Sequence, residues 1–139
     1  MTADRAFVDT NVLVYASDED EPSKRATARQ LLASFAPGDL VISTQVLVEF
    51  YVTVTRKLAR ALPPEGAAAR VRDLARMPTV LTDVALVHAA VDTSRSVTIS
   101  LWDALIVEAA RVGGCNRLIT EDLAGGATIR GVRIENPFA

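Results

Sequence analysis

Hydrophobic residues follow two patterns along this chain. Short continuous apolar runs, typical of strands buried in a parallel sheet, alternate with longer segments in which apolar residues recur every three or four positions. The short runs predict strands at 6–9, 40–43, 117–120 and 132–134, with another short one at 80–81. The longer segments predict helices at about 23–35, 65–76, 83–92 and 101–112, separated by proline- and glycine-containing breaks.

The segment at 44–62 carries both signals. Its many β-branched residues favour a strand, whereas Val46, Phe50 and Val54 recur at helical spacing. Because the segment is also much longer than a typical strand, we predict a helix here.

The alternation of helices and strands predicts an α/β fold, arranged as a three-layer α/β/α sandwich with a mainly parallel central sheet. The chain has 139 residues, half of them apolar, which suits a single domain over 1–139. No apolar run approaches the ~18 residues of a membrane span, and no signal-peptide pattern occurs. We therefore expect a soluble cytoplasmic protein with no membrane partner.

The composition narrows the chemistry. One cysteine and one histidine exclude an internal disulfide and a histidine-rich zinc site. A net charge of −2 excludes a uniformly basic nucleic-acid binder, although it allows a local basic surface. The chemistry must therefore depend on carboxylates, hydroxyls or amides.

Two carboxylates follow predicted strands. Asp9 closes the first strand, and Asp122 comes two residues after the strand at 117–120. Because ligands of doubly wound sheets bind beyond the carboxyl ends of the strands, these residues predict one acidic pocket.

Two further acids occur in apolar helical segments. Glu49 lies between Val48 and Phe50, and Asp103 lies in the first turn of the helix at 101–112. A buried carboxylate costs several kcal/mol unless it is paired or binds a metal. With only two lysines in the chain, a shared cation explains the four acids better than four salt bridges, and oxygen ligands favour Mg²⁺ or Mn²⁺.

Each acid taken alone also has a structural explanation. Asp103 lies three residues after Ser100, which is close to a capping-box spacing. Asp122 suits a turn, and Glu49 suits the exposed edge of its helix. Asp9 has the weakest structural explanation, because an acid at the end of a buried strand is seldom structural.

The motifs in order are FVDTNVLVYA, STQVLVEFYVTVTRKL, SLWDALIVEAA, RLITEDL and GVRIENPF. Together they resemble PIN-domain proteins, and within that group the VapC-type toxins of bacterial type II toxin–antitoxin pairs. The resemblance extends from residue 7 to 138 and implies a PIN-like sandwich.

The resemblance also implies that the protein is a magnesium-dependent endoribonuclease, with Mg²⁺ as cofactor and Mn²⁺ as the alternative ion. Its catalytic acids would be Asp9, Glu49, Asp103 and Asp122, of which Asp9, Asp103 and Asp122 would hold the metal. Asn11 and Thr120 match the family's polar helpers. Glu121 adjoins Asp122, so either residue could be the fourth acid.

The segment from 56 to 76 has six basic and two acidic residues, a net charge of +4. We interpret Arg56, Lys57 and Arg60 as contacts for RNA phosphates, the alternative being a solvated helix face.

Trp102 suits the core beside the site, although base stacking is conceivable. The mean hydropathy of +0.23 suggests association, and the resemblance implies a homodimer and a VapB-like antitoxin partner.

Three other interpretations of the site compete with a nuclease. A phosphatase of the haloacid dehalogenase class also begins with an aspartate after its first strand, but it needs a second aspartate where this chain has Asn11. A catalytically silent PIN module that binds RNA or protein is the second. A receiver-like signalling domain is disfavoured, because the chain lacks that domain's acidic pair and late lysine.

Overall fold

The computed structural model describes residues 4–139, and within that range the chain forms six strands and six helices. In chain order these are β1 (Ala6–Val8), α1 (Thr10–Tyr15), α2 (Pro22–Ala33), β2 (Leu40–Ser43), α3 (Thr44–Arg56), α4 (Pro64–Leu74), β3 (Thr79–Val80), α5 (Val84–Val97), α6 (Leu101–Val112), β4 (Arg117–Ile119), β5 (Thr128–Ile129) and β6 (Val132–Glu135).

The strands form one sheet in the order β3-β2-β1-β4-β6-β5, in which only the β5–β6 pair is antiparallel. This confirms the predicted α/β fold with a mainly parallel sheet. The two central strands, β1 and β4, are neighbours, and Val8 pairs with Ile119. The residues that follow these strands, Asp9 and Thr120, therefore leave the same edge of the sheet side by side.

Helices cover both faces of this sheet. Successive side chains of a strand point to opposite faces, yet all three residues of β1 are 0% exposed. Helix α1 contacts α2 and α3, and α3 contacts α4. Helix α5 packs against α6, and α6 also contacts four strands, β1, β2, β4 and β6. The arrangement is the predicted three-layer sandwich.

Local capping fixes where the functional helices begin. Ser43 accepts a hydrogen bond from the Val46 amide at the start of α3, and Ser100 accepts one from the Asp103 amide at the start of α6. Helix α6 ends at Gly113, where a Cβ atom would lie 2.9 Å from Cγ1 of Val41. Glycine is required there because the helix end approaches β2 so closely.

A buried carboxylate joins α6 to its neighbours. Glu108 is 1% exposed and accepts hydrogen bonds from Thr93 of α5 (3.0 Å), from Arg111 (2.9 Å) and from Arg130 in the β5–β6 turn (3.4 Å). The two arginines compensate its charge, so this acid is structural.

The structure corrects several local expectations. The predicted helix at 44–62 ends at Arg56, and the chain then folds back so that the Leu62 amide donates to the Val54 carbonyl. Helix α5 continues to Val97 instead of ending near 92, and β5 was not predicted. Trp102 is 65% exposed, so the expectation that it belongs to the core is wrong.

None of the helices within residues 4–139 has the length and apolar character needed to cross a bilayer.

Candidate active site

Asp9 lies where β1 passes into α1. It is 5% exposed, and its Oδ1 accepts a hydrogen bond from the Thr10 amide at 2.8 Å, while its Oδ2 accepts one from the Thr120 hydroxyl at 2.8 Å. Burial raises the pKa of Asp9 to about 6, an effect that these hydrogen bonds oppose and that the negative charges of Asp122 and Glu49 reinforce. Asp9 is therefore a desolvated carboxylate with acidic neighbours.

The polar residues Asn11 and Thr120 link the end of β1 to the end of β4. The Thr120 hydroxyl accepts hydrogen bonds from the Asp122 amide at 3.0 Å and from Asn11 Nδ2 at 3.4 Å. Asn11 Oδ1 in turn accepts from the Glu121 amide at 3.3 Å. These contacts fix the backbone that carries Asp122 against the helix that follows Asp9.

Glu49 points from α3 toward the same region. Its Oε1 accepts a hydrogen bond from the Thr10 hydroxyl at 2.7 Å, and its Oε2 accepts one from Gln45 Nε2 at 3.3 Å. The sequence interpretation did not single out Thr10 or Gln45. Thr10 could have been found, because it lies between Asp9 and Asn11 in the first motif.

Asp103 completes the acidic group from the first turn of α6. Burial raises the pKa of Asp103, the Ser100 hydroxyl opposes that change, and the charges of Asp122 and Glu49 reinforce it. Asp122 and Glu49 thus act on both Asp9 and Asp103. Ser100 accepts a hydrogen bond from the Asp103 amide, which is one half of the capping box that the spacing suggested.

All four acids line one cavity of about 690 Å³, which Asn11 also lines. The described part of the chain forms no salt bridge to any of the four, and Lys57 is the only basic residue among the lining residues. Val48 and Val52 from α3 and Trp102 from α6 contribute apolar lining to the cavity. Four carboxylates from four segments therefore line one cavity, and none of them forms a salt bridge within the described residues.

Glu121 does not line this cavity. Its Oε1 accepts a 2.6 Å hydrogen bond from the Tyr15 hydroxyl, and its Oε2 forms a 2.7 Å salt bridge with Lys24. Burial favours the neutral acid, but these two hydrogen bonds lower the pKa of Glu121 overall. The geometry thus separates the two adjacent acids, with Asp122 at the cavity and Glu121 paired outside it.

The donor set suits a small hard cation. The cavity offers carboxylate and amide oxygens, which are the ligands of Mg²⁺ and Mn²⁺. Within residues 4–139, however, no three side chains of His, Cys, Asp or Glu are arranged as a metal site. Mg²⁺ commonly keeps several waters and binds through one or two carboxylates, so the set fits an ion held partly through water.

The predicted RNA contacts occupy different environments. Lys57 lines the acidic cavity. Arg60 lies apart from it and forms salt bridges with Glu19 at 3.1 Å and with Asp20 at 3.2 Å. Arg56 is exposed at the end of α3. The acidic run before α2 therefore partners Arg60, a pairing across forty-odd residues that the sequence pattern did not indicate.

The fold and the site define a class of α/β proteins that carry an acidic cavity at the carboxyl edge of a parallel sheet. The model of the PIN domain family matches residues 6–124, and the chain belongs to this family. None of the curated proteins matches the chain.

Solved structures with this fold include toxins of toxin–antitoxin systems. One is a toxin–antitoxin complex from Klebsiella pneumoniae, with a TM-score of 0.70 and 24% identity over 96% of this chain and 98% of that chain. Another is VapC20 of Mycobacterium tuberculosis, a sarcin-ricin loop cleaving toxin (TM-score 0.67, 22% identity, 81% of this chain and 86% of that chain). A third is DNA-bound VapBC from Salmonella typhimurium (TM-score 0.66, 20% identity, 97% and 99%). At these identities the likeness concerns the fold.

Proposed function

We propose that this protein is a metal-dependent endoribonuclease and the toxin of a VapBC-type toxin–antitoxin pair. The observation that carries the proposal is the single cavity lined by Asp9, Glu49, Asp103 and Asp122, four carboxylates that form no salt bridge within the described residues. Family membership supports it, since VapC20, which has the same fold, is a toxin that cleaves the sarcin-ricin loop. RNA and a protein antitoxin would both meet the enzyme in the cytoplasm.

In this proposal Asp9, Asp103 and Asp122 would hold Mg²⁺ partly through water, with Mn²⁺ as a substitute. The ion would supply positive charge that offsets charge developing on the phosphodiester and would acidify water. Glu49 would accept the proton of the attacking water, and hydrogen bonds from Thr10 and Gln45 orient its carboxylate. The Thr120 hydroxyl and the Thr10 amide orient Asp9 and oppose the rise of its pKa.

The test is cleavage of single-stranded RNA by the purified protein with Mg²⁺, and again after EDTA. We expect Asp103→Asn to lower the rate at least about 100-fold while the fold is retained, and EDTA to stop the wild type. Val112→Ala, an exposed position near the other end of α6, is the matched control. RNA binding without cleavage would instead identify a silent PIN module, and activity that survives EDTA would exclude the metal.

The phosphatase reading has less support. Where a second aspartate would be needed, Asn11 uses its side chain to hold the Glu121 amide and to contact Thr120. Hydrolysis of a phosphomonoester together with failure to cleave RNA would favour the phosphatase.

An apolar groove supports the antitoxin as a partner. It lies between α3 and α4, has a volume of about 410 Å³ and is lined by Leu47, Val48, Tyr51, Val52, Ala68, Val71 and Arg72. Val48 and Val52 also line the acidic cavity, so the groove and the site are continuous. A bound apolar segment of an antitoxin could therefore extend to the catalytic acids.

The role of the groove in binding an antitoxin can be tested with a substitution that leaves the four acids unchanged. Tyr51 lines the groove but not the cavity, so Tyr51→Glu should prevent inhibition by the product of the adjacent reading frame and leave RNA cleavage unchanged. Val112→Glu, which is remote from the groove, should still be inhibited. Inhibition of both variants alike would place the antitoxin elsewhere.

The homodimer is the remaining part of the proposal. Val84, Val87 and Val91 are exposed at a spacing of three and four residues along α5 and form an apolar stripe. We expect a dimer by light scattering for the wild type and a monomer for Val84→Lys with Val91→Lys. A dimer in the double variant would exclude α5 as the interface.

A further inference from the structure

The only tryptophan of the chain lies beside the acidic cavity. Trp102 directly precedes Asp103 in the first turn of α6, lines the same cavity and is 65% exposed. An indole is among the largest apolar side chains, and burying it would normally stabilise the protein. Its exposure at the rim of a candidate site is therefore an observation that the fold itself does not explain.

The cavity needs a source of affinity other than charge. An RNA strand is a polyanion, and the lining contains five acidic residues but, within the described chain, one basic residue, Lys57. Arg60, which could have contributed, is paired with Glu19 and Asp20. A contact that does not depend on charge would let the strand bind next to these carboxylates.

We propose that Trp102 stacks on the nucleobase that flanks the scissile phosphate and so acts as a substrate-positioning residue. This inference rests on the proposed nuclease function. Stacking of bases on aromatic side chains is strong and tolerant of sequence, because every base has a π face. Because Trp102 and Asp103 line the same cavity, a phosphate bound through a metal ion at Asp103 would have its neighbouring base within reach of the indole.

The surroundings favour a base over a protein segment as the occupant. Trp102 is on the side of the cavity formed by α6, whereas the groove between α3 and α4 does not include it. The side chain also lines the same cavity as the Asp103 carboxylate, which is proposed to hold the metal. An apolar peptide that reaches across Val48 is the competing occupant, and the experiment below distinguishes it.

Tryptophan fluorescence reports on Trp102 alone, because the sequence contains no other tryptophan. Wild-type protein in EDTA is titrated with single-stranded oligoadenylate, oligouridylate and an abasic sugar–phosphate oligomer of the same length. We expect the two RNA oligomers to quench and blue-shift the indole emission, oligoadenylate more strongly, and the abasic oligomer to do neither. Equal responses to all three would overturn the inference.

Variants then separate stacking from other roles. By anisotropy of labelled RNA, Trp102→Ala should weaken binding roughly 5- to 100-fold with the salt dependence unchanged, because stacking releases no counterions. Trp102→Phe should recover most of the affinity. Leu101→Ala, a neighbouring exposed position outside the cavity, is the control. With Mg²⁺ restored, Trp102→Ala should raise KM more than it lowers kcat.

The outcomes separate the two proposals. If the wild type cleaves RNA but Trp102→Ala binds and cleaves equally well, the stacking inference is wrong and the nuclease function stands. If the wild type neither binds nor cleaves RNA, the proposed function itself fails. If only the antitoxin alters the emission, the indole contacts protein and the inference is also overturned.

Discussion

At the scale of single residues, Asp9 has two roles that oppose each other. Its carboxylate caps α1 through the Thr10 amide and accepts from Thr120, which favours the ionised form. Burial and the charges of Asp122 and Glu49 favour the neutral form and dominate, so the pKa lies at about 6. Without a cation, the ionised site is therefore a source of instability.

The raised pKa of Asp9 makes the stability of the metal-free protein depend on pH. Because folding raises the pKa of Asp9, its contribution to stability is complete below about pH 4 and is lost as the pH rises to about 6. We expect Asp9→Asn to remove this dependence and to stabilise the metal-free protein at pH 8 by up to about 3 kcal/mol. Urea unfolding in EDTA at pH 5 and pH 8 measures both. A destabilised Asn variant at pH 8 would show that the capping role dominates.

The adjacent acids Glu121 and Asp122 allow a paired test. Asp122 lines the cavity, whereas Glu121 is held by Lys24 and Tyr15. Asp122→Asn should lower the RNA cleavage rate about 100-fold or more, and Glu121→Gln should change it by no more than a few-fold. The comparison of kcat for the two variants is the measurement, and a reversed order would make Glu121 the fourth acid.

At the scale of elements, α6 contributes residues both to the acidic cavity and to the packing of the fold. Its first turn carries Trp102 and Asp103, and its buried Glu108 joins it to α5 and to the β5–β6 turn. We expect Glu108→Ala to lower the free energy of unfolding by roughly 2–4 kcal/mol, because Thr93 loses its buried partner and a cavity forms. Arg130→Ala, whose side chain is half exposed and 3.4 Å from Glu108, should cost less than about 1 kcal/mol. Equal losses in urea unfolding would contradict this assignment.

The sequence pattern predicts the helices and strands better than it predicts which side chains contact one another. Helix α3 was recognised despite its β-branched residues, because Val46, Phe50 and Val54 face the core at helical spacing. The strand β5 was missed, since two residues and a turn at Arg130 and Gly131 produce no periodicity. The end of α5 was also missed, because Thr98 ends it in a left-handed conformation that glycine usually adopts.

The sequence likewise predicts only part of the candidate site. The four acids could be named from their apolar surroundings and motif, and the structure places all four on one cavity. The partners of Arg60 and Glu121 could not be named, because those ion pairs join segments far apart in the chain and exposed charges carry no local pattern. The exposure of Trp102 was unpredictable for a related reason, since its helix is apolar on most of its surface.

At the scale of the whole molecule, the distribution of charge decides how RNA approaches. Lys57 is available at the cavity, whereas Arg60 is already paired with Glu19 and Asp20. Lys57→Ala should therefore weaken RNA binding at low salt and reduce the salt slope by about 1, with little change for Arg60→Ala. Titrations at several salt concentrations measure the slopes. A larger effect of Arg60→Ala would mean that RNA displaces the acidic run.

The strand order has a consequence for synthesis in the cell. The central strand β1 is made first, but its neighbour β4 lies more than a hundred residues later, and Asp122 follows β4. A chain still being translated therefore holds Asp9 without the partner strand that aligns it, and non-local parallel pairing of this kind is slow to form. On the proposed function, a nascent toxin stays harmless to the messenger and ribosome that produce it until its fourth carboxylate has emerged and the sheet has closed around β1.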